Sequence, residues 1–272
     1  MLKRTGQSPC IHASCALAML LFFSLHAGAD DAPPFAVGEK TRYVIHASGI
    51  KIGYQTMEVV SLEELQGVQT VLLKGQTTAS AIVSILYHLD DRWTISMERG
   101  SFYPIRVEKE WEEGKGEGFY IYEIDQQNRM VRFRDVKKNK EKTLHARNPI
   151  FDLFSLLYYY RVNALSIENP FTFDFLETKA LKTVSFQDEG VGQLTIPRIS
   201  NTRSVPVRIL KQIGGAGIEL YVSTDALRLP LKLVTPAKLS KKKTVVVEFV
   251  IDGYLAGSGQ REVPKEYRRL KY

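Results

Sequence analysis

The chain has 272 residues, of which 44% are hydrophobic and 25% charged, and its net charge is +7. This composition is typical of a folded globular protein and excludes a disordered or collagen-like chain. Lysine and arginine are spread among acids, and the short runs at Lys137 to Lys142 and Lys241 to Lys243 fall where hairpin turns are expected. A nucleic-acid-binding surface is therefore disfavoured, and contact with anionic lipid headgroups stays a minor alternative.

The first 29 residues have the pattern of a signal peptide. Lys3 and Arg4 precede an apolar run from Cys15 to Phe23, and Ala27-Gly28-Ala29 has the small side chains that signal peptidase accepts. The apolar run is about half of the ~20 residues that a spanning helix needs, so an uncleaved anchor is the weaker alternative. We expect cleavage after Ala29 and a periplasmic protein with no later transmembrane segment.

Cleavage at this point would remove both cysteines, Cys10 and Cys15. No cysteine stands at the cleavage position, where a lipoprotein would carry its lipid, so no lipid anchor is expected. The mature chain would have no thiol and no disulfide, and its net charge would fall to +5.

Most of the remaining sequence alternates between apolar and polar residues, with turn residues between the alternating segments. A period of two predicts short strands, and short connections favour antiparallel pairing of neighbours. Strands are expected at 41–47, 52–60, 68–78, 92–98, 105–112, 119–125 and 130–134, and again at 171–176, 183–187, 192–196, 205–212, 218–223, 232–234 and 244–251. The apolar segment at about 80–88 is interpreted as a short helix, with a strand as the alternative.

One stretch, from Asn148 to Arg161, predicts a buried helix over about residues 148–162. Asn148 fits the N-cap and Pro149 fits the first turn. Apolar and aromatic side chains cover a wide face. The narrow opposite stripe consists of Asp152, Ser155 and Tyr159. We expect this helix to lie on the concave side of a single large curved antiparallel sheet or open β-barrel.

The domain organisation is expected to be simple. Residues 30–255 should form one β-rich domain, since no linker rich in proline, glycine or serine divides them. The tail at 256–272 is basic, has few apolar residues and begins near a Gly-Ser-Gly sequence. It is therefore expected to be flexible and dispensable for stability.

Five motifs appear in order along the chain: GEKTRYVIHASGIKIGYQTMEV from Gly38, LYHLDDRW from Leu86, FYPIRVEKEWEEG from Phe102, PIFDLFSLLYYYR from Pro149 and TDALRLPLKL from Thr224. Together they resemble the domain-of-unknown-function family 3108 of exported bacterial proteins, over Phe35 to about Tyr254. The resemblance implies a secreted, periplasmic, β-rich domain of Gram-negative-type bacteria. It implies no catalytic residues, because the family has no established activity.

No pattern of catalytic or metal-binding residues stands out. Three histidines remain after cleavage, namely His46, His88 and His145. They are widely separated in the sequence, so no metal and no cofactor is expected. The glutamates of the strand at 105–112 alternate with basic residues and are interpreted as a solvated charge ladder rather than a catalytic pair.

Two short polar motifs could instead recognise a ligand. They are Asp90-Asp91-Arg92 and the Arg228-Leu229-Pro230 segment. The preferred interpretation is turn chemistry, in which carboxylates cap backbone amides and pair with arginine. The alternative is a recognition rim formed by Asp90, Asp91, Arg92 and Arg228.

Aromatic residues are concentrated in the central helix and in the strand at 171–176. Core packing explains most of them, and the remainder favours an apolar groove between helix and sheet. The candidate ligand-binding residues are Phe151, Phe154, Tyr158 and Phe173.

Three functional hypotheses follow from these patterns. The first is a non-enzymatic periplasmic module that binds a lipid-like or other apolar ligand in envelope maintenance. The second is a module that docks another envelope protein through its rim or a sheet edge. The third, a hydrolase of envelope polymers, has the least support.

Overall fold

The computed structural model describes residues 33–272 except 198, 200–203, 216, 239–243, 261–262, 266 and 271. These residues belong to one compact unit, Pro33–Tyr272. The expected signal peptide and the Lys241 to Lys243 run lie outside the described residues.

The described chain folds into one sheet of fifteen strands. In chain order they are β1 (Lys40–Ala47), β2 (Ile50–Leu65), β3 (Val68–Ala79), β4 (Leu89–Glu98), β5 (Pro104–Glu113), β6 (Gly116–Asp125), β7 (Met130–Asp135), β8 (Lys140–His145), β9 (Ile150–Phe151), β10 (Phe171–Glu177), β11 (Ala180–Leu194), β12 (Val205–Gln212), β13 (Glu219–Ser223), β14 (Pro230–Lys238) and β15 (Thr244–Leu255). Strands that are neighbours in sequence pair antiparallel, except that β9 pairs parallel to β10 and that β8 and β9 form the two ends of the sheet. Strand β1 also pairs antiparallel with β15. The expected antiparallel sheet is confirmed.

Two α-helices interrupt the strands in the described chain. The short α1 (Ala81–Ser84) begins after Ser80, whose hydroxyl accepts from the Val83 amide, and it fits the expected helix at about 80–88. The longer α2 (Leu153–Asn163) is the expected buried helix. No described helix is both long and apolar enough to cross a bilayer.

Helix α2 starts later than the sequence suggests, and Asn148 is not its N-cap. Asp152 is the cap: its Oδ1 accepts from the amides of Phe154 (2.9 Å) and Ser155 (3.3 Å), while Ser155 Oγ accepts from the Asp152 amide. This reciprocal capping box satisfies three amide groups at the helix start. The preceding residues Ile150–Phe151 form β9, because they can pair with β10.

The narrow polar stripe expected along α2 is not exposed. Asp152 and Ser155 are fully buried, and Tyr159 is half-buried against the rings of Tyr103 and Phe171. Both halves of the sheet contact the helix, since Trp93 of β4 packs on Phe154 while later strands cover the other side. The predicted burial of the helix therefore extends to the narrow stripe opposite its apolar face.

The sheet curves until its two ends nearly meet, but it does not close into a barrel. Gln126 bridges this seam, because its side-chain amide donates to Ile150 O (2.8 Å) and its oxygen accepts from the Ile150 amide (3.0 Å). Near the other end of the seam, Tyr122 donates to Thr178 O at 2.8 Å. Side chains therefore hold the seam together in place of a continuous backbone ladder.

Strand β8 was not expected, because its residues belong to the lysine run that was assigned to a turn. Only the first part of that run, around Lys137 and Asn139, forms the turn between β7 and β8. Strand β8 is a sheet edge with exposed Lys140, Glu141 and Lys142. Charged side chains on an edge strand oppose pairing with another chain.

The tail differs from the flexible segment that the sequence predicts. Tyr267 and Leu270 are 2% exposed and belong to the main core, and Tyr267 donates to Asp225 Oδ2 at 2.6 Å. The Tyr254 amide donates to Leu270 O, which ties the tail to β15. Burial of Tyr267 and Leu270 is enough to hold this mostly polar segment against the domain. The overall composition of the tail, which is basic and polar, does not indicate these two contacts.

Candidate functional site

An apolar cavity runs along α2 on the side that faces β10 to β14. Its volume is about 510 Å³. The helix contributes three leucines and a tyrosine to its wall, and the sheet contributes aromatic and aliphatic side chains. The main lining residues are Leu153, Leu156, Tyr160, Phe173, Phe186 and Leu210. We call it the apolar cavity.

Strand β10 supplies the aromatic wall of the apolar cavity. Phe171, Phe173 and Phe175 lie two residues apart, so all three project from the same strand face and border the cavity. Phe171 stacks on Phe173 at 5.3 Å between ring centroids, and Phe173 stacks on Phe186 of β11 at 5.9 Å. The alternation of phenylalanines in the sequence is thus the signal that locates this wall.

The four candidate ligand-binding residues divide between cavity and core. Phe173 borders the apolar cavity, and Phe154 borders a second cavity. Phe151 is fully buried among other rings, and Tyr158 packs against Phe35. Neither Phe151 nor Tyr158 borders either cavity.

The second cavity has a volume of about 550 Å³ and a more polar wall. It lies beside the seam, at the N-terminal end of α2, and we call it the polar cavity. It shares Leu153, Phe175, Glu177 and Phe249 with the apolar cavity, so the two adjoin. Its polar lining includes Gln55, Thr77, Asp91, Lys109, Tyr122 and Asp152.

An inward-facing ion pair lies in the wall of the polar cavity. Lys109 Nζ is 2.7 Å from Asp91 Oδ2, and the ammonium also lies 4.6 Å from the centre of the Trp93 ring. The sequence interpretation placed Lys109 in a solvated charge ladder, but its side chain points to the opposite face from the neighbouring glutamates. Partial burial raises the pKa of Glu113, and the negative charge of Asp91 raises it further.

Two carboxylate oxygens in this wall are not satisfied by any residue that the structure describes. They are Asp91 Oδ1 and Asp152 Oδ2. Burial raises the pKa of Asp152, and the hydrogen bonds from Ser155 and Phe154 offset this only in part. Buried polar atoms without partners are rare and costly in folded proteins. A hydrogen-bond donor in the polar cavity could therefore be stabilised by these two oxygens.

The Asp90-Asp91-Arg92 motif lies in strand β4 and not in a turn, which corrects the preferred interpretation. Asp90 and Arg92 face outward and pair with each other at 2.5 Å, while Asp91 faces the cavity. The alternation of a strand sends adjacent residues to opposite faces. Only Asp91 of this motif joins the candidate site.

Arg228 has a structural role in this arrangement. Its Nη1 donates to the carbonyl oxygens of Arg161 (2.8 Å) and Val162 (3.2 Å), in the last turn of α2. A cation at this position satisfies carbonyl groups that the helix leaves unpaired. Arg228 therefore holds the end of the helix that lies far from the polar cavity.

A buried ion pair, which the sequence analysis missed, anchors the same end of α2. Arg161 lies 2.5 Å from Glu39, and both side chains are almost completely inaccessible. Tyr254 and the tail residue Gln260 also donate to Glu39. An arginine inside an otherwise apolar and aromatic helix is the one sequence signal that could have pointed to a buried partner.

The histidines are not brought together. His88 pairs with Glu112 at 3.0 Å on the surface, in the outer charge ladder of β4 and β5. His46 and His145 lie on β1 and β8. Across the described residues, no group of three or more His, Asp or Glu side chains is placed to hold a metal ion.

The fold, with two cavities beside its central helix, is that of a β-barrel-like protein with an open seam. A similar solved structure is the beta-barrel-like protein of domain of unknown function DUF1849 from Brucella abortus, with a TM-score of 0.52 and 6% identity over 80% of this chain and 96% of that chain. A chain from Parabacteroides distasonis described as a "putative lipoprotein" matches at a TM-score of 0.35 and 11% identity, over 82% of this chain and 98% of that chain.

The sequence itself matches one family model. The model described as "Protein of unknown function (DUF3108)" covers residues 42–247, and the chain belongs to this family. The resemblance drawn from the five motifs is thereby confirmed. No curated protein matches the chain.

Proposed function

We propose that this protein is a non-enzymatic module that binds an apolar or amphiphilic ligand in the cavity beside α2. The observation that carries the proposal is the apolar cavity itself. Its volume of about 510 Å³ falls within the range of roughly 300–1,000 Å³ typical of small-molecule sites. Its wall is mainly aromatic and aliphatic, as in sites that bury most of an apolar ligand.

The architecture supports the proposal because the cavity is held open by a rigid frame. Helix α2 is fixed at its start by the Asp152 capping box and at its end by Arg161 and Arg228. The helix therefore cannot simply collapse onto β10 to fill the gap. A preformed cavity lowers the cost of ordering the site on binding.

The proposal includes a periplasmic location, which the signal-peptide pattern of the first 29 residues supports and where an apolar ligand would come from the envelope. Binding in envelope maintenance is thus part of the proposal, and the ligand class is a lipid or a comparable apolar molecule.

A second candidate function, docking of an envelope protein, is favoured by one observation. Helix α1 and the residues after it expose a cluster of large apolar side chains: Ile82, Ile85, Leu86 and Tyr87. Ile82 and Ile85 are each 81% exposed and Leu86 is 89% exposed. Clustered exposed apolar residues often mark interaction surfaces. The charged edge strand β8 does not support docking by strand addition.

The proposal is tested by native mass spectrometry of the mature protein purified from the periplasm without detergent. We expect a bound species that is released on denaturation and extracts into organic solvent. Protein that carries no such ligand, and that also fails to bind an uncharged apolar dye such as N-phenyl-1-naphthylamine, would contradict the proposal. The variant Ile85→Ser, in the exposed apolar cluster after α1, should bind the dye normally and so separates the two candidate functions.

A further inference from the structure

We propose that the polar cavity holds the head of an amphiphilic ligand, and that this head is a hydrogen-bond donor, an ammonium or a hydroxyl group, rather than an anion. The inference rests on the proposed function, because it assigns the ligand's chain to the apolar cavity and its head to the adjoining polar cavity.

The two cavities are arranged as an amphiphile requires. They share Leu153, Phe175, Glu177 and Phe249, so they are neighbours, and the chain and the head of one ligand would occupy adjacent sites. Leu153 is the first residue of α2, directly after Asp152. A chain lying along the helix would therefore bring its head to the helix start, where the carboxylate of Asp152 lies.

The strongest argument is the free oxygen of Asp152. The residue is 1% exposed and borders the polar cavity, and its Oδ1 is occupied by the helix amides. Among the residues that the structure describes, none donates to its Oδ2. A buried acceptor without a partner costs about 1–3 kcal/mol, and a donor delivered by a ligand would remove that cost.

A second unpartnered oxygen, Asp91 Oδ1, belongs to the same cavity wall. Asp91 is 7% exposed, and only its Oδ2 is paired, with Lys109. Glu113 lies beside Asp91 and can donate a hydrogen bond to it when protonated. Asp152 has no such neighbour among the described residues, so its oxygen would gain more from a donor on the ligand. Both unpartnered atoms are acceptors, and both belong to residues that line the polar cavity.

The two lysines that line the polar cavity are each paired with an aspartate, which disfavours an anionic head. Lys109 is paired with Asp91, and Lys179 lies 3.2 Å from the buried Asp135. A carboxylate or phosphate head would meet Asp91 and Asp152 without an available cation to balance it. Like charges at short range in a protected cavity repel strongly.

The inference is tested by displacement of the naphthylamine dye from the wild-type protein with dodecylamine, dodecanol and dodecanoate, each below its micelle concentration. The three compounds share one chain and differ only in the head. We expect the amine or the alcohol to bind at least about tenfold more tightly than dodecanoate. A preference for the amine identifies an ammonium head, and a preference for the alcohol identifies a hydroxyl head. Equal binding of the two means that the donated hydrogen bond, and not the charge of the head, decides binding.

Two variants connect this preference to the residues. Asp152→Asn keeps a good N-cap residue but replaces the free oxygen by an amide. Asp91→Asn tests the second acceptor. Asp125→Asn is the matched control, because Asp125 ends strand β6, caps the following turn through Asn128 and borders neither cavity. We expect the preference over dodecanoate to fall by about tenfold in Asp152→Asn and to stay unchanged in Asp125→Asn.

The outcomes separate this inference from the proposed function. If the dye binds and dodecanoate competes as well as the other two compounds, the head assignment is wrong while the binding function stands. If both Asp152→Asn and Asp91→Asn keep the wild-type preference over dodecanoate, the head assignment is also wrong. If the dye does not bind to wild-type protein, both proposals fail together.

Discussion

Arg161 and Glu39 form a bidentate ion pair in the core, 122 residues apart in the sequence. Arg161 Nη1 donates to Glu39 Oε1 at 2.5 Å, and Nη2 donates to Oε2 at 3.0 Å. Burial opposes the charge on the guanidinium, but the neighbouring carboxylate of Glu39 outweighs this and raises the pKa of Arg161. The pair joins the segment before β1 to the end of α2.

Breaking this pair from either side should destabilise the protein strongly. Arg161→Met leaves the Glu39 carboxylate buried without its cation, and Glu39→Gln leaves the guanidinium without its anion. Each change is expected to lower the free energy of unfolding by about 3–5 kcal/mol, because the remaining charge is buried without a partner. Urea denaturation of the single variants checks this prediction.

The double variant distinguishes an ion pair from two independent contacts. With both charges removed, neither remains uncompensated, so the loss should be well below the sum of the single losses. Additive losses would show that the two side chains act independently.

The tail should contribute to stability through Tyr267. Tyr267→Ala is expected to cost about 3–5 kcal/mol, because it deletes a buried ring. For a chain of this size, that loss should lower the melting temperature by more than about 6 °C. Tyr272→Ala is the matched control in the same tail: its side chain is 48% exposed, and the change should cost less than about 1 kcal/mol. Equal melting temperatures for the two variants would support the flexible tail that the sequence suggests.

Asp152 should make stability depend on pH. Burial raises its pKa in the folded protein, so the native state keeps a proton that the unfolded chain has already lost. Its contribution is therefore most favourable below the ordinary aspartate pKa of about 4, and it declines as pH rises towards the folded pKa.

Asp152→Asn should remove this dependence while retaining the cap. The stability of the variant relative to wild type is expected to increase as pH rises through that window, as measured by denaturant unfolding at a series of pH values. A constant difference would mean that Asp152 has the same pKa in both states.

The sequence predicts the sheet well because its signal is local. Strand β12 has the expected bounds, 205–212, since an alternating pattern ends at clear turn residues on both sides. The helix start was misplaced because Asn148 and Asp152 are both good caps, and only pairing of Ile150–Phe151 with β10 decides between them. Strand β8 was not predicted because its charged residues resemble a turn. They fit a strand only at the edge of the sheet, and which strand lies at the edge depends on the strand order.

The site was only partly predictable because it depends on which elements surround α2. The phenylalanines of β10 were located by their spacing, but Asp152 was placed on the stripe opposite the apolar helix face and Asp91 in a turn. Both are buried because the sheet wraps around the helix and closes near the seam. Glu39 carries no local signal at all, since its partner lies on a distant element.

The apolar cavity should accept added volume that the neighbouring core cannot. Val184 of β11 borders the cavity, whereas Val207 of β12 is fully buried and borders neither cavity. Val184→Phe should cost less than about 1 kcal/mol, because the ring enters empty space. Val207→Phe should cost about 1–3 kcal/mol, because it overpacks a filled site. Thermal melts compare the two variants.

Titration of N-phenyl-1-naphthylamine into wild-type and Val184→Phe protein tests the central claim most directly. We expect the wild-type protein to bind the dye and the folded Val184→Phe protein to bind it at least about tenfold more weakly, equivalent to about 1.4 kcal/mol. Equal affinity of the two folded proteins for the dye, or no binding by either, would contradict the claim that the cavity beside α2 is a binding site.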